Sequence, residues 1–260
     1  MDPEAYDRFT RDLQNRLEDD PRVLGLVALG SMARRDQPPD RWSDHDFFVV
    51  VAPGTQESFR TDLGWLPRND EIALSFRETA HGVKVVFRDG HLIEFAVFDP
   101  DELELARVNR YRVLLDRERI GDRVAGVAEA TARRATPPSD EWLIGQFLTN
   151  ILVGAGRYRR GERLSGRQLV TKSALAHLMV LLTKHTESPE RAKLDSLDPL
   201  RRFETVFPAL ARRIDAALGM EAPAAALALL DIAVEALPGR IPEAAVAAIR
   251  PLLDPRSAAE

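Results

Sequence analysis

Two aspartates separated by one residue, Asp44 and Asp46, stand at the entrance to the apolar run FFVVV. In an extended chain successive side chains alternate faces, so both carboxylates point the same way, with Cα atoms about 7 Å apart. Like charges so placed repel, and a carboxylate withdrawn from water is costly without a positive partner. A hard divalent cation is such a partner. Magnesium takes oxygen ligands, usually one or two carboxylates together with the oxygens of a bound phosphate. Upstream, with twelve residues between, Gly30-Ser31 closes another apolar run. A tight turn there can bring backbone N–H groups and a hydroxyl up to phosphate oxygens. A third acid, Glu94, lies inside HLIEFAVF, a rare position for a carboxylate that is neither used nor paired. Each feature alone has an ordinary explanation as a turn, a cap or a solvated edge. In this order along one chain they point to metal-assisted chemistry on a phosphate.

The elements that must position these residues are legible. Asp2-Pro3 reads as a helix N-terminus, and Tyr6, Phe9, Leu13 and Leu17 recur at helical spacing over the first twenty residues. VLGLVAL (23–29) and the run after Asp46 read as buried strands. Residues 55–66 carry Phe59, Leu63 and Leu66 on one helical face. EIALSF (71–76) and VKVVF (83–87) read as further strands, the second turning at Arg88-Asp89-Gly90 into HLIEFAVF (91–98) as a hairpin. ATPPSD (135–140) breaks the chain, with Ser139 or Asp140 able to cap a helix beginning there. Beyond it the periodicity is helical throughout: Trp142, Phe147, Ile151; then Leu169, Leu175, Leu178, Leu182; then Leu200, Phe203, Phe207, Leu210, Ile214. The alanine- and leucine-rich end is divided by Pro238 and Pro242. The expectation is an α+β chain: a mixed-sheet catalytic domain over 1–135, then a helical bundle over 136–260 for acceptor binding or oligomerisation.

The segment GSMARRDQPPDRWSDHDFFVV (30–50) resembles the DNA polymerase β-like nucleotidyltransferase superfamily, whose motif is Gly-Ser followed about a dozen residues later by an acidic pair with one residue between. Within it the loop is similar to that of lincosamide nucleotidyltransferases and, less closely, of aminoglycoside adenylyltransferases. GVKVVFRDGHLIEFAVFDPDEL (82–103) and FLTNILVGAGRYRRGERLSGRQL (147–169) resemble the lincosamide enzymes too. The resemblance implies two magnesium ions on Asp44 and Asp46, and ATP or another nucleoside triphosphate as co-substrate. It implies contact of Gly30 and Ser31 with the triphosphate, and Glu94 as the base that activates an acceptor hydroxyl or as a further metal ligand. Arg34, in the loop after Ser31, and Lys172, in a helix that otherwise reads apolar, are further candidates for the phosphates. The acceptor would be a small molecule with a hydroxyl.

Composition sets bounds. The formal charge of −5 argues against a protein built to hold long nucleic acid, which needs a basic surface. Arg157, Arg159, Arg160 and Arg163 form a local basic cluster, readable as a solvated helix end or as a polyanion site. There is no cysteine, hence no disulfide framework or thiolate metal site. No segment has the apolar length of a membrane span, and the acidic start lacks the apolar core of a signal peptide, so the expected location is cytoplasmic. His45 alternates away from the aspartates, which argues against a ligand role, and Trp42 could stack on an acceptor or cover the sheet. Precedent in the subfamily and the alanine-rich terminal helices allow a homodimer. Two alternatives stand beside the small-molecule enzyme: nucleotidylation of a protein or RNA, and a nucleotide-binding protein without catalysis.

Overall fold

A computed structural model of the chain describes residues 2–33, 38–134 and 138–254. The chain divides into two units, Met1–Arg134 and Ala135–Glu260.

The first unit is built on a six-stranded mixed sheet. Its strands are β1 (Val23–Leu29), β2 (His45–Val51), β3 (Ile72–Arg77), β4 (Gly82–Phe87), β5 (Leu92–Phe98) and β6 (Tyr111–Asp116), in the order β3-β4-β5-β2-β1-β6. The β2–β5 pair is parallel, and every other pair is antiparallel. Helices α1 (Pro3–Glu18), α2 (Gln56–Thr61) and α3 (Ile120–Arg134) complete it. Asp2 caps α1 by accepting from Ala5 N at 2.9 Å, and the expected stripe Tyr6, Phe9, Leu13, Leu17 is fully buried.

Alternation along the strands sorts the sheet into two faces. Phe47, Val49 and Val51 of β2 join Ile93, Phe95 and Val97 of β5 and the α1 stripe in one core. Val27, Val50 and Phe98 meet Ile120, Val124 and Val127 of α3 in the other. Burying each such side chain contributes about 1.5–3 kcal/mol. With cores on both sides, β1 is buried along its whole length, which is why it reads as an unbroken apolar run. Gly25 is required there, because a Cβ on it would lie 2.8 Å from Ile120 Cγ2. Gly25→Ala is expected to destabilise the unit by about 1–3 kcal/mol, read as a lower melting temperature.

The second unit is helical: α4 (Asp140–Arg159), α5 (Arg163–Gln168), α6 (Leu175–His185), α7 (Phe203–Val206), α8 (Pro208–Leu218), α9 (Ala222–Ala236) and α10 (Glu243–Leu253). Ser139 caps α4, accepting from Trp142 N at 3.2 Å. Phe147, Ile151, Leu178, Leu182, Leu229 and Leu230 lie in its core. The basic cluster serves this packing. Arg157 donates to Ser165 Oγ at 2.7 Å, Arg159 donates to the carbonyls of Leu252 and Asp254, and Arg163 lies over the Tyr158 ring.

Several boundaries differ from the sequence expectation, each for a local reason. The helix expected over 55–66 stops at Thr61, since Asp62 is extended and its carboxylate accepts from Gly64 N at 2.9 Å. Leu66 still reaches the core. The helix expected from Leu200 to Ile214 is broken in two at Phe207, whose backbone leaves the helical region just before Pro208. Residues 169–174 form a π-helical turn leading into α6. Strand β6 and helix α3 were not expected; β6 is an edge strand with only partial burial and no clean alternation. Among the described residues no helix is long and apolar enough to cross a membrane.

Candidate functional site

The parallel pairing of β2 with β5 sets Asp46 directly opposite Glu94. Alternation places both on one face of the sheet, away from the core that holds Phe47 and Phe95. Asp44 immediately precedes β2. Both aspartates and Glu94 are half-buried. The approach to Asp44 is an ordered turn: the Asp40 carboxylate accepts from Trp42 N at 2.8 Å and from Ser43 Oγ at 3.2 Å. Trp42 itself is 79% exposed, with the Arg41 guanidinium over its ring, so it does not cover the sheet.

The Gly-Ser turn comes to the same place. Residues Gly30–Ala33 make one 3-10 turn at the end of β1, held by Arg112 of β6, which donates to the Met32 carbonyl at 3.1 Å. Gly30 has φ +46°, and a Cβ on it would stand 3.5 Å from Asp46 Oδ2. The glycine thus supplies a backbone conformation other residues resist, and it leaves open the space beside the carboxylate. Gly30→Ala is expected to cost about 1–2 kcal/mol of stability, measurable by thermal or denaturant unfolding. Ser31 is half-buried in this turn.

The third acid is engaged elsewhere. Glu94 Oε1 lies 3.1 Å from Lys84 Nζ, and the same ammonium lies 2.9 Å from Glu78 Oε1. Lys84 is opposite Glu94 in the β4–β5 hairpin, on the far side of β5 from Asp46. The Glu78 carboxylate, then that of Glu94, hold the Lys84 ammonium above the usual lysine range. Among the described residues no group of three acids or histidines is placed to hold a metal ion. The open cradle at Gly30 and the oxygen donors of Asp44 and Asp46 fit a hard divalent cation; Glu94 stands outside that pair, tied to Lys84.

Behind the aspartates lies a polar cluster. His45 is fully buried, its ring stacked on Tyr6 with centroids 3.7 Å apart. Its Nε2 sits 3.2 Å from the Tyr6 carbonyl and 3.0 Å from Thr10 Oγ1, and its Nδ1 is 2.8 Å from His91 Nε2. The proton arrangement that fits has His45 donating through Nε2 and His91 donating through Nε2 to His45 Nδ1. His91 Nδ1 is buried with no hydrogen-bond partner among the described residues. The Tyr6 hydroxyl donates to the Asp44 carbonyl at 2.9 Å. Burial first, then His91, lowers the His45 pKa to about 3, and burial lowers that of His91 to about 4. Both imidazoles are neutral at pH 7 and fasten α1 to the strand that carries the aspartates.

The structure therefore brings together Gly30, Asp46 and Glu94, with Ser31 and Asp44 next to them in the chain. Arg34 lies outside the described residues. Lys172 belongs to the second unit, where it is exposed within the π-helical turn.

No family model matches this chain. No curated protein matches it either. Among solved structures it is similar to an aminoglycoside 6-adenyltransferase from Bacillus subtilis, at 14% identity and a TM-score of 0.35, over 87% of this chain and 86% of that one. The chemistry of the site stands on its own residues. Sequence inspection missed Lys84, Tyr6 and Arg112. Lys84 had a signal, a lone charge among valines in a strand that a short turn joins to the strand of Glu94; the other two had none.

Proposed function

We propose that this chain is a magnesium-dependent nucleotidyltransferase. It would move a nucleoside monophosphate, AMP from ATP, to a hydroxyl of a small molecule such as a lincosamide or an aminoglycoside, releasing pyrophosphate. The observation that carries the reading is the juxtaposition of the Gly30 turn, Asp46 and Glu94 on one face of the sheet. In this reading Asp44 and Asp46 hold two magnesium ions, whose chemistry is to neutralise the triphosphate and polarise the reacting oxygens. The turn at Gly30 and Ser31 presents N–H groups and a hydroxyl to the phosphates. The acceptor oxygen bonds to the α-phosphorus, the bond from that phosphorus to the bridging oxygen breaks, and pyrophosphate leaves with the electron pair. Glu94 takes the hydroxyl proton. Such a reaction depends on positioning and charge compensation more than on covalent participation of the protein.

The test is pyrophosphate release with ATP and magnesium across lincosamides, aminoglycosides and simple nucleoside or sugar alcohols. Release that requires one of these acceptors is the expected result. ATP binding with no release for any of them would overturn the small-molecule reading and direct attention to protein or RNA acceptors.

A further inference from the structure

We propose that Lys84 is a positioning residue for Glu94, holding the third carboxylate towards β4 and out of the metal pair. The inference rests on the nucleotidyltransferase reading above and concerns which of two roles Glu94 takes. A glutamate opposite Asp46 in parallel register is near enough in the sheet to turn towards Asp46 and join it on a cation, since neighbouring strands lie only about 4.8 Å apart. The side chain is drawn the other way. Lys84 stands on β4, the strand beyond β5, and its ammonium bridges Glu94 at 3.1 Å and Glu78 at 2.9 Å. The base of this lysine is rigid. Val83 and Val85 on either side of it are buried in the core, and the β3–β4 turn is closed by Glu78 N donating to the Gly82 carbonyl at 3.0 Å. Glu78 thus anchors the ammonium from the turn, and the ammonium holds Glu94. A base that must meet an acceptor hydroxyl benefits from being kept apart from the metals, since ligation by one or both oxygens takes up lone pairs that the proton needs.

The test compares wild type with Lys84→Met, Lys84→Arg and Lys84→Met/Glu94→Gln in two measurements. One is Mn2+ affinity in the presence of ATP, by electron paramagnetic resonance; the other is steady-state pyrophosphate release at saturating metal. Lys84→Met frees Glu94 to join the aspartates, so Mn2+ is expected to bind several-fold tighter while kcat falls at least about tenfold and the KM for ATP changes less than twofold. Lys84→Arg keeps charge and reach and should stay near wild type in both. The double variant should return Mn2+ affinity to the wild-type value, which a merely structural lysine would not produce. Should Lys84→Met melt early, Lys84→Gln takes its place in the same comparison. A wild type that binds Mn2+ and turns over, beside a Lys84→Met variant unchanged in both, overturns this proposal alone. A wild type that does neither removes the nucleotidyltransferase reading and this proposal with it.

Discussion

Asp46→Asn is expected to lower the rate of transfer by about 10³-fold, close to 4 kcal/mol of lost transition-state stabilisation, with the fold intact. Asn keeps the size of the side chain but removes the charge that a hard cation requires. The strand's place in the sheet is set by other groups. Its register is fixed by His45 and Phe47, buried on the opposite face, and by pairing with β1 and β5. Thermal unfolding of the variant separates any change in stability from the loss of activity. Asp44→Asn should behave alike, because the bond that secures this residue runs from the Tyr6 hydroxyl to its backbone carbonyl and survives the substitution. The measurement is acceptor-dependent pyrophosphate release beside thermal unfolding of each variant. Full activity in either would remove the aspartates from the chemistry, and a collapsed melting temperature would make them structural.

How far the sequence discloses this site can be judged from particular residues. The strands around Asp46 and Glu94 are legible because they alternate cleanly or are wholly apolar, and the turn at Asp89-Gly90 is a local signal with a local cause. That turn also fixes the pairing of its two strands, so the contact of Lys84 with Glu94 was within reach of counting outward from it. The match of Asp46 with Glu94 was not. It is a parallel pairing between strands more than forty residues apart, and local periodicity says nothing about which strands become neighbours. The stacking of His45 on Tyr6 and its link to His91 are similarly non-local; alternation could say only that His45 faces away from the aspartates. The helix breaks at Thr61 and Phe207 are hidden because apolar spacing continues through them, while an aspartate turn and a proline decide the backbone.

The buried histidines are expected to make the first unit lose stability progressively as pH falls below about 6.5. In the fold their pKa values lie at about 3 for His45 and about 4 for His91, against roughly 6.5 in an unfolded chain. Below pH 6.5 the unfolded chain therefore binds protons that the folded chain does not, so stability is fully present above that pH and falls as pH drops towards 4. Each imidazole contributes a slope of about 1.4 kcal/mol per pH unit, about 3 kcal/mol for the two together. Domains commonly have only 5–15 kcal/mol in total. Two pH units then suffice to exhaust much of it, and the unit is expected to unfold near pH 4. Asp44 and Asp46 flank His45, so the candidate site is lost in the same transition. The check is urea unfolding between pH 7 and 5, followed through Trp65, which packs against Phe47 and Phe95 in this unit. His91→Phe tests the cause. That side chain sits among Phe9 and Phe87, so a phenyl ring suits its surroundings, although His45 Nδ1 loses its donor. The variant should start less stable by about 1–3 kcal/mol yet show about half the wild-type slope with pH. A slope equal to that of wild type would place the acid sensitivity in the surface ion pairs instead.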